Sequence, residues 1–343
     1  MKYFSLLILV LFYLFGSSQQ QIQYSILNNN CAARNSSLGG YPIGVIDEDP
    51  SLSIFLPSNL SKLSVNKLVI NYNNHFADSD FGMINYNFLV KKNSVFSATL
   101  FYNNYGSFEY YDASGNSYGN SFKAADWVFQ IGHSRKLYEN FQIGLNFKVI
   151  NSRLEIYNAI ALASDISLTY FNDEKRIGGY FLLSNIGTSL TNYSSFSNGK
   201  LPANSIISFN TKLKHAPVRF HLTYNHLNKW DISSTKTNSN SFSFNEFSRQ
   251  FFNHFIIASE FLFSDNFNFR FGYDLLSRNE LQPQSRPGTT GISWGIGLKI
   301  KDFKINYSNS KYHFAGISNN LTIIKSLRFF KPKDLSPQLG LSL

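Results

Sequence analysis

The chain contains one cysteine, Cys31, among 343 residues. A lone thiol excludes an internal disulfide and leaves any zinc site to histidines and carboxylates. Long hydrophobic runs are missing as well. After the first 15 positions no stretch reaches 18 apolar residues, which excludes helical membrane spans. Charged residues are sparse at 15%, with 21 acidic against 31 basic and a formal net charge of +10. The basic residues are scattered singly or in pairs, as at Lys91-Lys92, Arg135-Lys136, and Lys212 with Lys214. No basic stripe exists to follow a phosphate backbone, so nucleic acid is excluded as a partner. The lysines in turns fit a membrane surface or anionic lipid instead. A Gly-rich phosphate loop, a His pair at metal spacing and a nucleophile elbow are all absent. The seven histidines are dispersed. No catalytic site, metal or cofactor is predicted.

What the chain does have is aromatic residues and a rhythm. With 34 Phe and 20 Tyr, aromatics make up 17% of the residues. Segments of about ten residues alternate apolar and polar. In residues 291–300, Ile292, Trp294, Ile296, Leu298 and Ile300 fall on one face and Ser293, Gly295, Gly297 and Lys299 on the other. A period of two is that of a strand. One face suits lipid and the other a polar lumen, with aromatic girdles at the two interfaces. Repeated along a chain, this pattern is that of a transmembrane β-barrel.

Fourteen strands are predicted, at residues 67–74, 81–90, 94–105, 124–134, 141–151, 165–171, 176–186, 204–213, 218–227, 253–263, 267–276, 291–300, 303–310 and 319–330. The connections after even strands are tight, as at 91–93, 214–217 and 301–302. Those after odd strands are long and polar, as at 106–123, 187–203, 228–252 and 277–290. Outer-membrane barrels have short periplasmic turns and long external loops, so the parity of the connections supports the count independently. The predicted fold is all-β, an antiparallel outer-membrane barrel occupying residues 67–330.

Lys2, the apolar run from Tyr3 to Phe15 and the small residues Gly16-Ser17-Ser18 predict a signal peptide over 1–18. Residues 19–66 have no sustained periodicity. They predict a plug inside the barrel, the alternative being a periplasmic arm. Residues 331–343, with Pro332 and Pro337, predict a short periplasmic tail.

The candidate site residues are of two kinds. Polar lumen and plug candidates are Arg34, Asp47, Glu48, Asp49, Lys148, Arg270, Asp274 and Lys299. The acidic run 47–49 would neutralise lumen groups such as Arg270 or Lys299 or bind a cation, or else stay solvated or cap a turn. Arg270 and Asp274 are four apart on one strand, share a face, and predict a lumen charge network. The second kind is aromatic. Trp230, Phe242, Phe244 and Phe247 lie in the longest connection and are candidates for docking a partner. Trp230 fits an interfacial girdle equally well.

The segment from Ala33 and Arg34 through Leu38-Gly39-Gly40-Tyr41-Pro42, then Asp47-Glu48-Asp49 and Pro57-Ser58-Asn59-Leu60, resembles the N-terminal motif of the PorV/PorQ group of outer-membrane proteins. Residues 213–231, with Pro217, Tyr224 and Trp230-Asp231, and Tyr312-His313-Phe314-Ala315-Gly316 resemble the PorQ-like members of that group. The resemblance implies a fatty-acid-transporter-like barrel that serves the type IX secretion system without being an enzyme. It would act as a scaffold in the cell-surface attachment complex that anchors secreted cargo. The implied partners are outer-membrane lipid, lipopolysaccharide, other attachment-complex proteins and a surface partner among them. A reading from another class is a transporter for hydrophobic small molecules. That reading needs an apolar internal pocket, and polar faces carrying Asn268, Arg270, Asp274, Lys148 and Lys299 weigh against one.

Overall fold

The computed structural model describes residues 24–29, 32–74, 79–91, 94–112, 114–193, 199–232, 244–281, 288–313 and 316–327. The expected signal peptide, Cys31, Phe242 and the 331–343 tail lie outside the described residues. The strands are β1 (Lys67–Asn74), β2 (Asp80–Lys91), β3 (Ser94–Tyr111), β4 (Ser117–Tyr138), β5 (Phe141–Leu154), β6 (Tyr157–Asn172) and β7 (Ile177–Thr191). They continue as β8 (Asn204–Lys212), β9 (Val218–Tyr224), β10 (Phe255–Phe261), β11 (Phe267–Asp274), β12 (Ile292–Ile300), β13 (Phe303–His313) and β14 (Gly316–Ser326). Each strand pairs antiparallel with its sequence neighbours. β1 also pairs with β14, Val69 opposite Ile324, so the sheet closes with no free edge.

Alternation decides the faces. On β12, Ser293, Gly295 and Gly297 are buried, while Trp294 and Leu298 at the alternate positions are exposed. Leu100, Phe129, Ile131 and Phe147 likewise stand on the outer wall. An apolar belt around a closed barrel is stable only in lipid, and the fold belongs in an outer membrane.

Two pairs of strands are longer than the alternation predicts. β3 and β4 continue to Tyr111 opposite Ser117, through the stretch read from sequence as a loop. β5 and β6 extend to Leu154 opposite Tyr157. Beyond the membrane both faces of a hairpin are wet, so nothing selects alternating polarity there. Pairing persists through backbone bonds and cross-strand rings, such as Phe108 with Phe122 at 5.4 Å. At the same end, the β9–β10 connection carries helix α3 (Phe244–Asn253) and the β11–β12 connection carries helix α4 (Leu275–Leu281).

Residues 32–64 sit inside the barrel. They form two short helices, α1 (Ala33–Ser36) and α2 (Ser51–Phe55), followed by single 3-10 turns at Pro57–Asn59 and Lys62–Ser64. An irregular segment buried in this way must find partners for its backbone polar groups. The wall supplies them. Ala33 N–H donates to Thr322 Oγ1 at 2.9 Å and Gly39 N–H to Ser293 Oγ at 3.0 Å. Asn210 donates to Gly44 O at 2.8 Å, Tyr180 to Pro42 O at 2.7 Å and Gln130 to Ile54 O at 2.8 Å. Two wall glycines let the plug backbone approach closely. A Cβ at Gly144 would collide with the backbone of Pro57 and Ser58, and one at Gly272 with that of Leu38 and Gly39.

Candidate functional site

The side chains that fasten the plug come from distant parts of the chain. Arg34, on α1, is buried, and its Nε lies 2.9 Å from Glu260 Oε1 on β10. Its Nη1 lies 2.6 Å from Asp47 and 3.5 Å from Asp49. Glu260 also receives Arg219 Nη1 at 3.0 Å and Arg270 Nε at 3.2 Å, and His221 Nε2 is 3.4 Å away. Lys304 Nζ, on β13, completes the cluster 3.0 Å from Asp49. Burial alone would push the Asp49 carboxyl up, but Lys304 and Arg34 beside it hold it well below the usual carboxylate range. Unpaired charges at this depth would be expensive, so each member requires the others.

A second contact lies nearer the short-turn end. Glu48 Oε2 sits 3.1 Å from Lys299 Nζ and 3.6 Å from Lys67 Nζ, and Glu48 and Lys299 are more exposed than the Arg34 cluster. Farther round the wall, Lys148 is buried with its Nζ 2.8 Å from the Asp165 carboxylate and 2.9 Å from Asn185 Oδ1.

The acidic run therefore neutralises lumen cations, with Arg34, Lys304, Lys299 and Lys67 as the partners. Arg270 joins through Glu260. The expected network between Arg270 and Asp274 does not form. Asp274 ends β11 where the chain turns into α4, and its carboxylate accepts from Leu276 N–H at 3.1 Å and from the Ser277 hydroxyl at 2.6 Å. Four residues along a strand span about 13 Å, beyond ion-pair reach, and the donors at the helix start take the Asp274 carboxylate instead.

Sequence reasoning missed Glu260, Asp165 and Lys304. The signal for Glu260 was parity, since Ile256, Ala258 and Glu260 all face inward on β10. Asp165 follows Ala161 and Ala163 in the same way on β6.

The lumen also has an apolar side. Phe81, Met83, Phe101, Val128, Ile150, Ala159 and Ala161 on β2–β6 form one buried cluster with Ile54 of the plug. Tyr24 and Ile26 lie on this patch. Residues 24–28 are held to the wall by neutral hydrogen bonds, among them Tyr24 hydroxyl to Ser189 Oγ at 2.6 Å and Ser25 Oγ to Tyr105 hydroxyl at 2.8 Å.

The aromatic candidates meet a different surface. The Trp230 ring packs tilted against Phe247 on α3, centroids 5.0 Å apart, where Phe244, Phe247 and Phe251 share one face. Phe251 continues onto Phe255 at 5.2 Å and Tyr224 at 6.2 Å. The partly exposed Phe255 and Tyr224 stand next to the buried Ile256 and Thr223, on the opposite, outer face. The aromatic face of α3 is thus continuous with the barrel's outer wall.

No family model matches this sequence, and no curated protein matches it. Solved structures do. The CymD monoaromatic hydrocarbon channel is similar at a TM-score of 0.55 and 11% identity, covering 90% of this chain and 99% of that one. The toluene transporter TodX of Pseudomonas putida is similar at a TM-score of 0.51 and 11% identity, covering 84% and 95%. The chain shares the closed outer-membrane barrel fold of these two structures. At this identity the likeness concerns the fold alone, and it lends the type IX attachment role no support.

Proposed function

We propose that this protein is an outer-membrane channel for small hydrophobic molecules. The observation that carries the reading is the apolar patch inside the barrel, formed by Phe81, Met83, Phe101, Val128 and Ile150. Of the polar residues that weighed against a conduit, Arg270 is paired with Glu260, Lys148 with Asp165 and Lys299 with Glu48, and Asp274 accepts from the Ser277 hydroxyl. Asn210, Gln130, Ser293 and Thr322 are engaged with the plug's backbone. A hydrophobic solute gains roughly 25 cal/mol for each Å² it buries, so a patch of this kind favours it over water.

Magnitudes decide which part of the plug yields. The neutral hydrogen bonds on residues 24–28 are worth about 0.5–1.5 kcal/mol each. Breaking one partner out of a buried ion cluster costs about 3–5 kcal/mol. The segment over the patch gives way to solute, and residues 33–64 stay seated through Arg34. The CymD and TodX barrels, described as a monoaromatic hydrocarbon channel and a toluene transporter, fit the same solute class. The scaffold role implied by the sequence resemblance has no structural observation of its own.

The test is uptake of a radiolabelled fatty acid or aromatic hydrocarbon by cells lacking their own hydrophobic channel. The protein should raise uptake above the empty vector. Ile150→Arg, which charges the patch, should abolish that gain at equal barrel abundance. Uptake at the vector level would overturn the reading. Release of surface cargo from deletion cells, with uptake unchanged, would favour the scaffold.

A further inference from the structure

The outer wall carries a groove of about 570 Å³ at the long-loop ends of β3, β4 and β5. We infer that it binds the phosphorylated headgroup of an outer-leaflet glycolipid. The inference is independent of what the lumen carries.

Strand parity places the groove outside the barrel. Ala124, Asp126 and Val128 on β4 are buried toward the lumen, so Lys123, Ala125 and Trp127 point outward. By the same rule Tyr102 on β3 and Arg153 on β5 point outward, next to the buried Asn103 and Ser152. Register explains the depression. Asn104, Ala125 and Arg153 lie opposite one another across the three strands, and the small side chain is in the middle. One step toward the membrane, Trp127 lies opposite Tyr102, with ring centroids 4.2 Å apart. Below that pair the wall is apolar, with Leu100, Phe129 and Phe147 exposed to lipid. Above it the β3–β4 hairpin leaves the membrane. The groove therefore sits at the aromatic girdle, the level of the headgroups.

Its charge fits an anion. Lys123 is two residues from Ala125, the partner of Arg153, so the two cations are diagonal neighbours on one face, about 7–8 Å apart. That separation is bridged by one phosphate accepting from both. Neither forms an ion pair among the described residues. Arg153 Nε donates to Glu155 O at 3.3 Å, which leaves its terminal nitrogens for a ligand. Glu155 also lines the groove, and its carboxylate accepts from the Tyr110 hydroxyl at 2.5 Å. Two cations against one carboxylate, above an aromatic ledge and an apolar wall, match a molecule with a phosphate, a sugar to lie on the rings, and acyl chains. A soluble anion would use the cations but not the wall beneath them.

The test uses the whole protein in detergent, with native mass spectrometry of bound bisphosphorylated lipid A. The same lipid A after enzymatic dephosphorylation serves as the second ligand. The wild-type protein should retain the phosphorylated lipid in preference. Removing two cations at a membrane surface should weaken retention about thirty-fold in K123Q/R153Q. Ala125→Trp fills the groove and keeps both charges, and it should also abolish retention. R135Q/K136Q removes two cations from the short-turn end and should leave retention unchanged. Heat modifiability confirms that each variant is folded. Equal retention of the two lipids, undiminished retention by K123Q/R153Q, or equal loss in R135Q/K136Q would each overturn the assignment.

Discussion

Arg34 Nε approaches Glu260 Oε1 at 2.9 Å, joining a four-residue helix near the start of the chain to a wall strand 226 residues later. Arg270 reaches the same oxygen at 3.2 Å. The wall therefore holds a carboxylate whose neighbours are cations from both the plug and the barrel. Replacing Glu260 with Gln strands buried guanidinium groups and should loosen the plug by about 3–5 kcal/mol. Arg34→Met should act in the same direction. The double variant should cost less than the sum, with a coupling of about 0.5–3 kcal/mol. Limited proteolysis of the segment 33–64, in barrels that still shift on heating, measures the effect. Additive losses would mean that the two groups do not share one interaction.

The two faces of β12 should fail in different ways. Ile296→Arg puts a charge on the lipid face and should cost about 2–4 kcal/mol of barrel stability. Gly295 faces inward, and a Cβ there would press on Tyr307 O and on the side chain of Ser37 in the plug. Gly295→Val should therefore release the plug while the barrel persists. If both substitutions lower the folded fraction and neither exposes the plug to protease, the faces are wrongly assigned.

The orientation is testable at described positions. In a Cys31→Ser background, Asn116→Cys lies in the tip of the β3–β4 hairpin and Glu174→Cys in the turn between β6 and β7. By the short-turn rule an impermeant maleimide should label the first on intact cells and not the second. The reverse pattern would invert the barrel.

The β9–β10 connection should respond to acid. Burial lowers His226 to about 4, with further lowering from the nearby His254 and Lys229. In the range between about 6.5 and 4 the unfolded segment binds a proton that the folded one refuses. Stability therefore rises with pH across that window and falls as the medium is acidified. Amide exchange of residues 225–230 and of α3, corrected for intrinsic rates, should accelerate from pH 7 to pH 4. His226 has a positive φ of 57°, which Asn also tolerates, so His226→Asn should keep the turn and flatten the profile. An unchanged profile in that variant would assign the sensitivity to another group.

The alternation of Ile292, Trp294, Ile296 and Leu298 with small or polar neighbours was sufficient for the barrel, its strand number and its faces. Those features follow from a local rule, the period of two imposed by a lipid on one side. Where the rule stops acting, the sequence was silent. The hairpin through Phe108 and Phe122 is a strand pair with water on both faces, and its pattern reads as a loop. Arg34 was visible as a charge with no partner named, and the acidic run at 47–49 as a neutraliser of Lys299 or Arg270. Pairing Arg34 with Glu260, or Asp49 with Lys304, required the closed sheet that brings strands ten and thirteen around one short segment. Tyr24 and Ile26 precede any periodicity, and only the tertiary structure placed them on the apolar patch. Local polarity determines which way a side chain faces. Which groups meet across the lumen depends on where the barrel closes.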